Sequence, residues 1–158
     1  MARSVALIGV LVNPDAGLGG RVGFKGSDGR AEEAREAGAE DRSGPRMTAT
    51  LEQLSVLGFE GAEFATCEGR MGSDWFPESP SPSKTIAGAN PSSAADTERA
   101  VAEFLSLGVD LILYSGGDGT TRDIVTALEE AGQGDIPLVG VPAGVKMHSG
   151  CFAANTNA

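Results

Sequence analysis

One carboxylate among three glycines is the part of the sequence whose residue types point most directly to chemistry. Asp118 lies in Gly116-Gly117-Asp118-Gly119-Thr120, between an apolar run and a segment with helical periodicity. In open α/β sheets, ligands bind where a strand turns into a helix. Glycines let the backbone approach a ligand, and the start of a helix favours an anion. Because a carboxylate repels phosphate, Asp118 indicates a base, a hydroxyl acceptor or an indirect metal contact at a phosphoryl-transfer or nucleotide site.

Two further glycine-rich segments follow apolar runs in the same way. The first spans residues 13–20, and the other spans Pro142 to Gly144 and is followed by residues 145–150. A glycine after a strand is more often a turn requirement than a ligand contact, so the conjunction of three such turns is the stronger signal. Lys146 is a candidate phosphate contact, because lysine is scarce in this chain. For His148, a packing or capping role and a phosphate contact are both open.

The familiar nucleotide-binding fingerprints are absent from the sequence. None of the three turns ends in Gly-Lys-Ser/Thr, which excludes a P-loop there. Gly17-Leu18-Gly19-Gly20 lacks the third glycine in register that the dinucleotide fingerprint requires. No cluster of cysteine and histidine suggests zinc, and we expect no protein-bound metal site.

The elements that must position these turns alternate between strand and helix patterns. Apolar runs and helical periodicity predict strands at 4–12, 62–67, 109–114 and 136–141, and helices at 30–38, 46–57, 94–107 and 121–131. This alternation predicts an α/β fold with a parallel sheet wrapped by helices. Residues 42–45 are predicted to be a break, and the proline-rich 68–91 a loop or mobile insertion. Within it, Trp75 and Phe76 either anchor the loop by packing, or one of them stacks on an adenine.

Composition and charge limit the partners. The chain has 158 residues, enough for one domain, and its net charge is −10 from 22 acidic and 12 basic residues. This charge argues against nonspecific nucleic-acid binding and against an anionic membrane surface, and it is compatible with a halophilic source. No apolar run approaches about 20 residues, and 5–12 leads into Asn13-Pro14 rather than a cleavage site. Two cysteines without a local pattern suggest reduced thiols, so we expect a cytoplasmic protein.

The turns resemble those of a known superfamily. Residues 116–120 resemble the signature of the NAD kinase and diacylglycerol/sphingosine kinase superfamily, and Asn13-Pro14 with its downstream glycines resembles the exit of its first strand. Residues 12–23 and 140–149 are more specifically similar to the ATP-NAD kinase branch that includes AcoX-type proteins. The resemblance implies a three-layer Rossmann-like nucleotide-binding domain at 1–150, and a β-rich second domain beyond a connection starting at 151–158. We expect the chain to correspond to the N-terminal half of a longer protein, either as a fragment, as a truncated reading frame or as a stand-alone domain. The missing domain should leave an apolar face, which favours a homo-oligomer.

The resemblance also implies a reaction. In NAD kinases the signature aspartate contacts the NAD ribose and accepts a proton from the hydroxyl that is phosphorylated, and this role falls on Asp118. The implied nucleotide-binding residues are Asn13, Gly17, Gly19, Gly20, Gly116, Gly117, Gly119, Thr120, Arg122, Gly144, Lys146 and His148. The expected ligands are NAD and ATP or polyphosphate, with Mg²⁺ on the phosphoryl donor.

Two alternatives to NAD phosphorylation stay open. The superfamily signature is shared with lipid kinases acting on diacylglycerol or sphingoid bases, and an AcoX-like module would bind a nucleotide without turnover. NAD kinases hold the adenine end of NAD with an Asn-Glu pair in their second domain. We therefore expect activity to need more than these 158 residues.

Overall fold

The computed structural model describes residues 5–18, 31–58, 61–144, 148 and 150–152. Its strands and helices run in the order β1 Ala6–Val12, α1 Ala31–Glu36, α2 Ser43–Val56, β2 Ala62–Cys67, β3 Lys84–Ile86, α3 Ala94–Leu107, β4 Leu111–Gly116, α4 Asp118–Glu130 and β5 Leu138–Pro142. Two short 3₁₀ turns, Gly69–Met71 and Ser73–Trp75, follow β2. The five strands form one parallel sheet in the order β3-β2-β1-β4-β5. None of the helices in these ranges is long and apolar enough to cross a membrane.

Successive residues of the central strand β1 pack on opposite faces of the sheet, as the period of two requires. Leu7 and Leu11 belong to one buried cluster and Ile8, Val10 and Val12 to another. The first cluster is covered by α3 and α4 through Ala100, Val101, Phe104, Ile124 and Leu128, and the second by α2 through Met47 and Leu51. The predicted α/β fold with helices on both sides of a parallel sheet is therefore confirmed as three layers.

The chain adds strands on one side of β1 first and on the other side afterwards. The chain moves outward from β1 to β2 and β3, then returns past β1 to β4 and β5. Crossovers of one handedness that travel in opposite directions must use opposite faces, which explains why α2 lies on one face and α3 and α4 on the other. The carboxyl ends of β1 and β4 thus flank the topological switch point, where open α/β sheets hold ligands.

Two helices begin three residues earlier than the sequence pattern predicted. The predicted break at 42–45 is wrong, since α2 starts at Ser43, and Pro45 falls in the first turn, where helices tolerate proline. Similarly, α4 starts at Asp118 rather than at 121, because the Thr121 N–H donates to the Gly117 carbonyl at 3.0 Å. Asp118 therefore belongs to the first turn of a helix and not to a loop.

Two strand predictions also differ from the structure. We predicted four strands, and the fifth is β3, which pairs three residues with β2 inside the segment predicted to be irregular. The strand predicted at 109–114 runs on through Gly116, because Ser115 pairs with Val12 and Gly116 with Pro142. The glycine-rich stretch at 21–29, predicted to be a structured loop, lies outside the described residues.

Candidate functional site

The three glycine turns leave adjacent strands and are joined through the backbone. The Asn13 N–H, after β1, donates to the Ser115 carbonyl at 2.9 Å, and the Ala143 N–H, after β5, donates to the Gly116 carbonyl at 3.0 Å. The parts of the turns that the structure describes therefore meet at one edge of the sheet, where the carboxyl ends of parallel strands lie.

Asn13 connects the first turn to the start of α4. Its side-chain Nδ2 donates to Thr120 Oγ1 at 2.9 Å, while its Oδ1 accepts the Asp15 N–H at 3.2 Å. The second bond is an Asx turn, which shapes the chain leaving β1. Because Thr120 is buried on α4, the Asn13 amide spans the switch point and fixes the spacing between the two turns.

Asp118 is the first residue of α4 and is half-buried. Gly117 precedes it as the N-cap with extended backbone and no side-chain cap bond. The Asp118 Oδ2 accepts the backbone N–H of His148 at 2.7 Å, so this carboxylate joins the second turn to the third. The start of a helix stabilises the ionised form of a carboxylate, which is the form that accepts a proton.

The glycines of the site have two different reasons to be glycine. Gly17 has φ +82°, and a Cβ there would lie 2.0 Å from the Ala143 carbonyl oxygen. A Cβ on Gly116 would lie 2.5 Å from Thr120 Oγ1. Both are therefore required by packing within the protein. A Cβ on exposed Gly119, by contrast, would have no described atom outside its own helical turn within 4 Å, so packing within the described chain does not require a glycine there.

Buried hydroxyl groups support the turn from beneath. Ser43 Oγ donates to Ser115 Oγ at 2.9 Å, and Ser115 Oγ donates in turn to the Ser43 carbonyl at 2.8 Å, which ties the start of α2 to the end of β4. Tyr114 shares a 2.6 Å hydrogen bond with Thr121, and burial raises the pKa of its phenol to about 12. Tyr114 is thus a neutral structural group. The sequence pattern missed Ser43 because it lay in the predicted break.

Two arginines at the start of α2 were also missed by the sequence pattern. The Arg46 guanidinium donates a short hydrogen bond to the Pro142 carbonyl, at the exit of β5. The Cδ of Arg42 lies 3.1 Å from the position that a Cβ on Gly17 would take. Burial, followed by the nearby charge of Arg42, lowers the pKa of Arg46. The signal that could have found them is their spacing of four, which places two cations on one face of a helix.

The remaining predicted residues have mixed outcomes. Gly19, Gly20 and Lys146 lie outside the described residues. Gly144 is half-buried next to Ala143, Arg122 is exposed on α4, and His148 is exposed and contacts Asp118 through its backbone.

Trp75 and Phe76 pack within the protein. A Cβ on Gly44 would lie 2.2 Å from the Trp75 ring, so the ring is in direct contact with the α2 backbone. The Trp75 indole N–H donates to the Arg70 carbonyl at 2.7 Å, and Phe76 meets Phe64 edge to face with ring centroids 6.1 Å apart. These contacts agree with the packing alternative for both rings.

Comparison with known proteins identifies the family. Residues 8–158 match the model of the ATP-NAD kinase N-terminal domain. The chain belongs to this family, and the resemblance read from the three turns is confirmed. A protein of Alcanivorax borkumensis named "Probable lipid kinase YegS-like" is 45% identical over 49 residues. This alignment covers 31% of the chain and 16% of the relative's length, so the chain matches well under two thirds of that protein. Both matches support a kinase-like phosphotransferase domain.

Proposed function

We propose that this domain supplies the catalytic carboxylate of a phosphotransferase that converts NAD to NADP. The phosphoryl group comes from ATP or polyphosphate and is transferred to the 2′-hydroxyl of the adenosine ribose. The observation that carries the proposal is the position of Asp118, in the first turn of α4 at the switch point and in contact with the third turn. The family match to the ATP-NAD kinase N-terminal domain supports it.

Asp118 acts as the proton acceptor in the proposed reaction. The ribose hydroxyl loses its proton to the carboxylate as its oxygen bonds to the transferred phosphorus, and the bond from phosphorus to the leaving oxygen breaks. Such transfers depend on positioning and on neutralising charge. Gly119 gives the ligand room beside the carboxylate, and Asn13 and Thr120 hold the two turns at the required spacing.

Mg²⁺ is proposed to accompany the phosphoryl donor. Among the described residues there is no group of three or more His, Cys, Asp or Glu that could hold a metal ion. Mg²⁺ commonly keeps several waters and binds through one or two carboxylates and the substrate phosphates. We therefore propose that Mg²⁺ binds the phosphates of the donor and water, and that Asp118 keeps its role as the proton acceptor.

Several finer assignments belong to the same proposal. The nucleotide contacts are the glycines and polar residues of the three turns, together with Arg122, Gly144 and His148, and Lys146 is proposed to contact a phosphate. We also propose residues 1–150 as the nucleotide-binding domain, a cytoplasmic location and self-association.

The test is NADP formation by the full-length protein that contains this chain. With NAD and either ATP or polyphosphate, wild-type protein should make NADP, and Asp118→Asn should lower kcat by about 10²- to 10⁴-fold, the usual contribution of an acid–base group. Asp135→Asn, an exposed carboxylate in the turn before β5, is the matched control and should keep wild-type activity. If wild-type protein makes no NADP with either donor, NAD is not the acceptor.

A lipid kinase is the second candidate, and the similarity to the Alcanivorax borkumensis protein favours it. Asp118 would then accept the proton of a lipid hydroxyl. Vesicles containing diacylglycerol or sphingosine, offered with ATP, separate the two reactions. Phosphorylated lipid without NADP would establish the lipid reaction. Calorimetric binding of ATP or NAD with turnover of neither acceptor would instead indicate a nucleotide-binding module.

A further inference from the structure

The arginines of the described chain fall into two groups. Arg35 pairs with Asp15 at 2.8 Å, Arg70 with Asp41 at 2.6 Å and Arg99 with Glu103 at 2.8 Å. Arg42, Arg46 and the exposed Arg122 of α4 form no ion pair with a carboxylate within the part of the chain that the structure describes. Of these three, Arg42 and Arg46 lie one helical turn apart at the start of α2. In a chain with 22 acidic and 12 basic residues, two neighbouring arginines without a carboxylate need an explanation.

The carboxylate next to these arginines in sequence is already engaged. Asp41 accepts hydrogen bonds from Arg70 at 2.6 Å and from Arg35 at 3.3 Å. Arg35 also reaches Asp15, in the turn after β1. This network joins the first turn to the segment that enters α2, so Asp41 holds the start of the helix while Arg42 remains exposed.

The position of Arg42 and Arg46 is unfavourable for the helix itself. Arg42 is the N-cap without a side-chain cap bond, Arg46 lies one turn later, and the first turn contains no acidic residue. Cations are disfavoured at a helix N-terminus, and like charges four residues apart repel. Departures from local preference of this kind concentrate at functional sites.

Both side chains lie against the glycine turns. Arg46 reaches the Pro142 carbonyl at the exit of β5, and Arg42 passes beside Gly17 where the first turn contacts Ala143. The bond to Pro142 occupies one of five N–H donors of the Arg46 guanidinium, which otherwise matches the geometry of phosphate. The buried Ser43–Ser115 pair fixes this end of α2 beside the strand that leads to Asp118.

We propose that Arg42 and Arg46 together bind the phosphate chain of the nucleotide at the three-turn site. The inference rests on the proposed function and adds two binding residues that the glycine motifs do not contain. The shared ligand chemistry is a linked chain of phosphates, as found in ATP, NAD and inorganic tripolyphosphate. The carboxylate and the arginines then act on different parts of the ligand, Asp118 on the hydroxyl and the arginines on the phosphates.

The test is titration calorimetry of the full-length protein with ATP, NAD, tripolyphosphate and adenosine. Arg42→Gln and Arg46→Gln should each raise the Kd of at least one nucleotide by about 10-fold, which is the scale of one charge-assisted hydrogen bond. The Kd of tripolyphosphate should rise by a similar factor. The Kd of adenosine, which has no phosphate, should stay unchanged. Arg99→Gln on α3 is the matched control and should bind like wild type, because the contacts of Arg99 are with Glu103, Asp96 and the Ala87 carbonyl and not with the glycine turns.

The stability of the variants separates binding from structure. Removing the charge of Arg42 relieves repulsion at the helix start, so Arg42→Gln should keep or raise the Tm while weakening phosphate binding. Arg46→Lys keeps the charge without the guanidinium fork and should retain part of the affinity. Loss confined to ATP would assign the arginines to the donor, and loss confined to NAD to the acceptor.

The failures are also distinct. If wild-type protein binds ATP or NAD and Arg42→Gln binds both as tightly, the arginine assignment is wrong while the proposed function stands. Equal losses for adenosine and ATP would show a structural effect and would also overturn the assignment. If wild-type protein binds none of the four probes, both this inference and the proposed function fall.

Discussion

The carboxyl edge of the sheet is built differently at its two halves, and glycine shows the difference. At the β2–β3 half, a Cβ on Gly72 would lie 1.9 Å from Thr66 Oγ1, and one on Gly88 would lie 2.1 Å from the Glu68 carbonyl oxygen. These glycines let chain segments pack on each other. At the β1–β4 half, Gly17 serves the same purpose, but a Cβ on Gly119 would have no described atom outside its helical turn within 4 Å.

This difference separates glycines that close the fold from a glycine that leaves space. Glycine is a poor helix residue, about 1 kcal/mol less favourable than alanine, and Gly119 lies in the first turn of α4. Neither its backbone, which has no left-handed φ, nor a packed neighbour in the described chain requires it. The proposed ligand beside Asp118 would account for a glycine at this position.

Gly17→Ala should give the largest loss of stability. The substitution combines a left-handed φ of +82° with a Cβ only 2.0 Å from the Ala143 carbonyl oxygen. The left-handed backbone costs about 1–2 kcal/mol and the overlap about 1–3 kcal/mol, so we expect a loss near 3 kcal/mol. For a domain of this size, thermal unfolding should show a fall in Tm of roughly 6–12 °C.

Gly38→Ala is the matched control for that change. Gly38 has φ +92°, yet a Cβ there would have no atom of the described residues within 4 Å, so only the backbone cost of about 1–2 kcal/mol applies. Equal losses for Gly17→Ala and Gly38→Ala would show that the contact between the first and third turns adds nothing.

Gly119→Ala should act on ligand binding with little effect on stability. The new methyl group fills the space beside Asp118, and we expect a Kd for ATP or NAD raised by about 10-fold or more, equivalent to about 1.4 kcal/mol. Alanine should hold or slightly raise the Tm, because it favours the helix. Calorimetry and thermal unfolding of the same preparation measure both effects.

The β2–β3 half supplies the opposite variant. Gly72→Ala forces a Cβ against Thr66 Oγ1 and should lower the Tm, while the folded fraction keeps its affinity for nucleotide. If Gly119→Ala binds nucleotide normally, or if Gly72→Ala loses affinity instead, the distinction between the two halves of the edge is wrong.

A smaller effect is expected at high pH, from the end of β2. Burial raises the pKa of the Cys67 thiol from 9.0 to about 12. The unfolded chain therefore loses this proton first, so the stability contribution is complete below pH 9.0 and is lost as the pH rises towards 12. Urea unfolding should show that the free energy of unfolding declines above about pH 9. In Cys67→Ala this decline should begin at about pH 10, where the unfolded chain begins to lose the proton of Tyr114, whose pKa is also raised in the folded protein.

The slope with pH is the informative quantity, since Cys67→Ala also leaves a cavity that lowers stability at every pH. If the dependence of unfolding free energy on pH is the same in Cys67→Ala as in wild type, the buried thiol does not cause the loss of stability at high pH.

The sequence was sufficient for the order of most strands and helices and for the three turns, because apolar periodicity and glycine position are local signals. It failed where a tertiary contact set the boundary. The sequence pattern predicted a break at residues 42–45, which include Ser43 and Pro45. In the structure α2 begins at Ser43, where the buried hydrogen bond between Ser43 and Ser115 fixes the start of the helix. The edge strand β3 contains only three residues, too few for a period to be visible.

The site was predicted as a set of turns but not as a geometry. The motif indicated Asp118, yet its contact with the His148 backbone depends on the pairing of β4 with β5. Arg42 and Arg46 carry no motif, and only the packing of α2 across the sheet brings them to the glycine turns. The sequence also could not distinguish a glycine required by packing, such as Gly17, from one without a packed neighbour, such as Gly119, because the residue type is the same.

The placement of β1 and α2 also has a consequence for how the chain folds during synthesis. β1 pairs with β4, and the Leu7 N–H bonds the Asp110 carboxylate 103 residues away. The apolar face of α2, with Met47 and Leu51, packs with Leu113 and Val141. The segment from β1 to β2 thus has no complete core of its own until β4 and β5 have been made. Such long-range pairing slows folding, so a nascent chain ending before residue 111 should be open to proteases and chaperones.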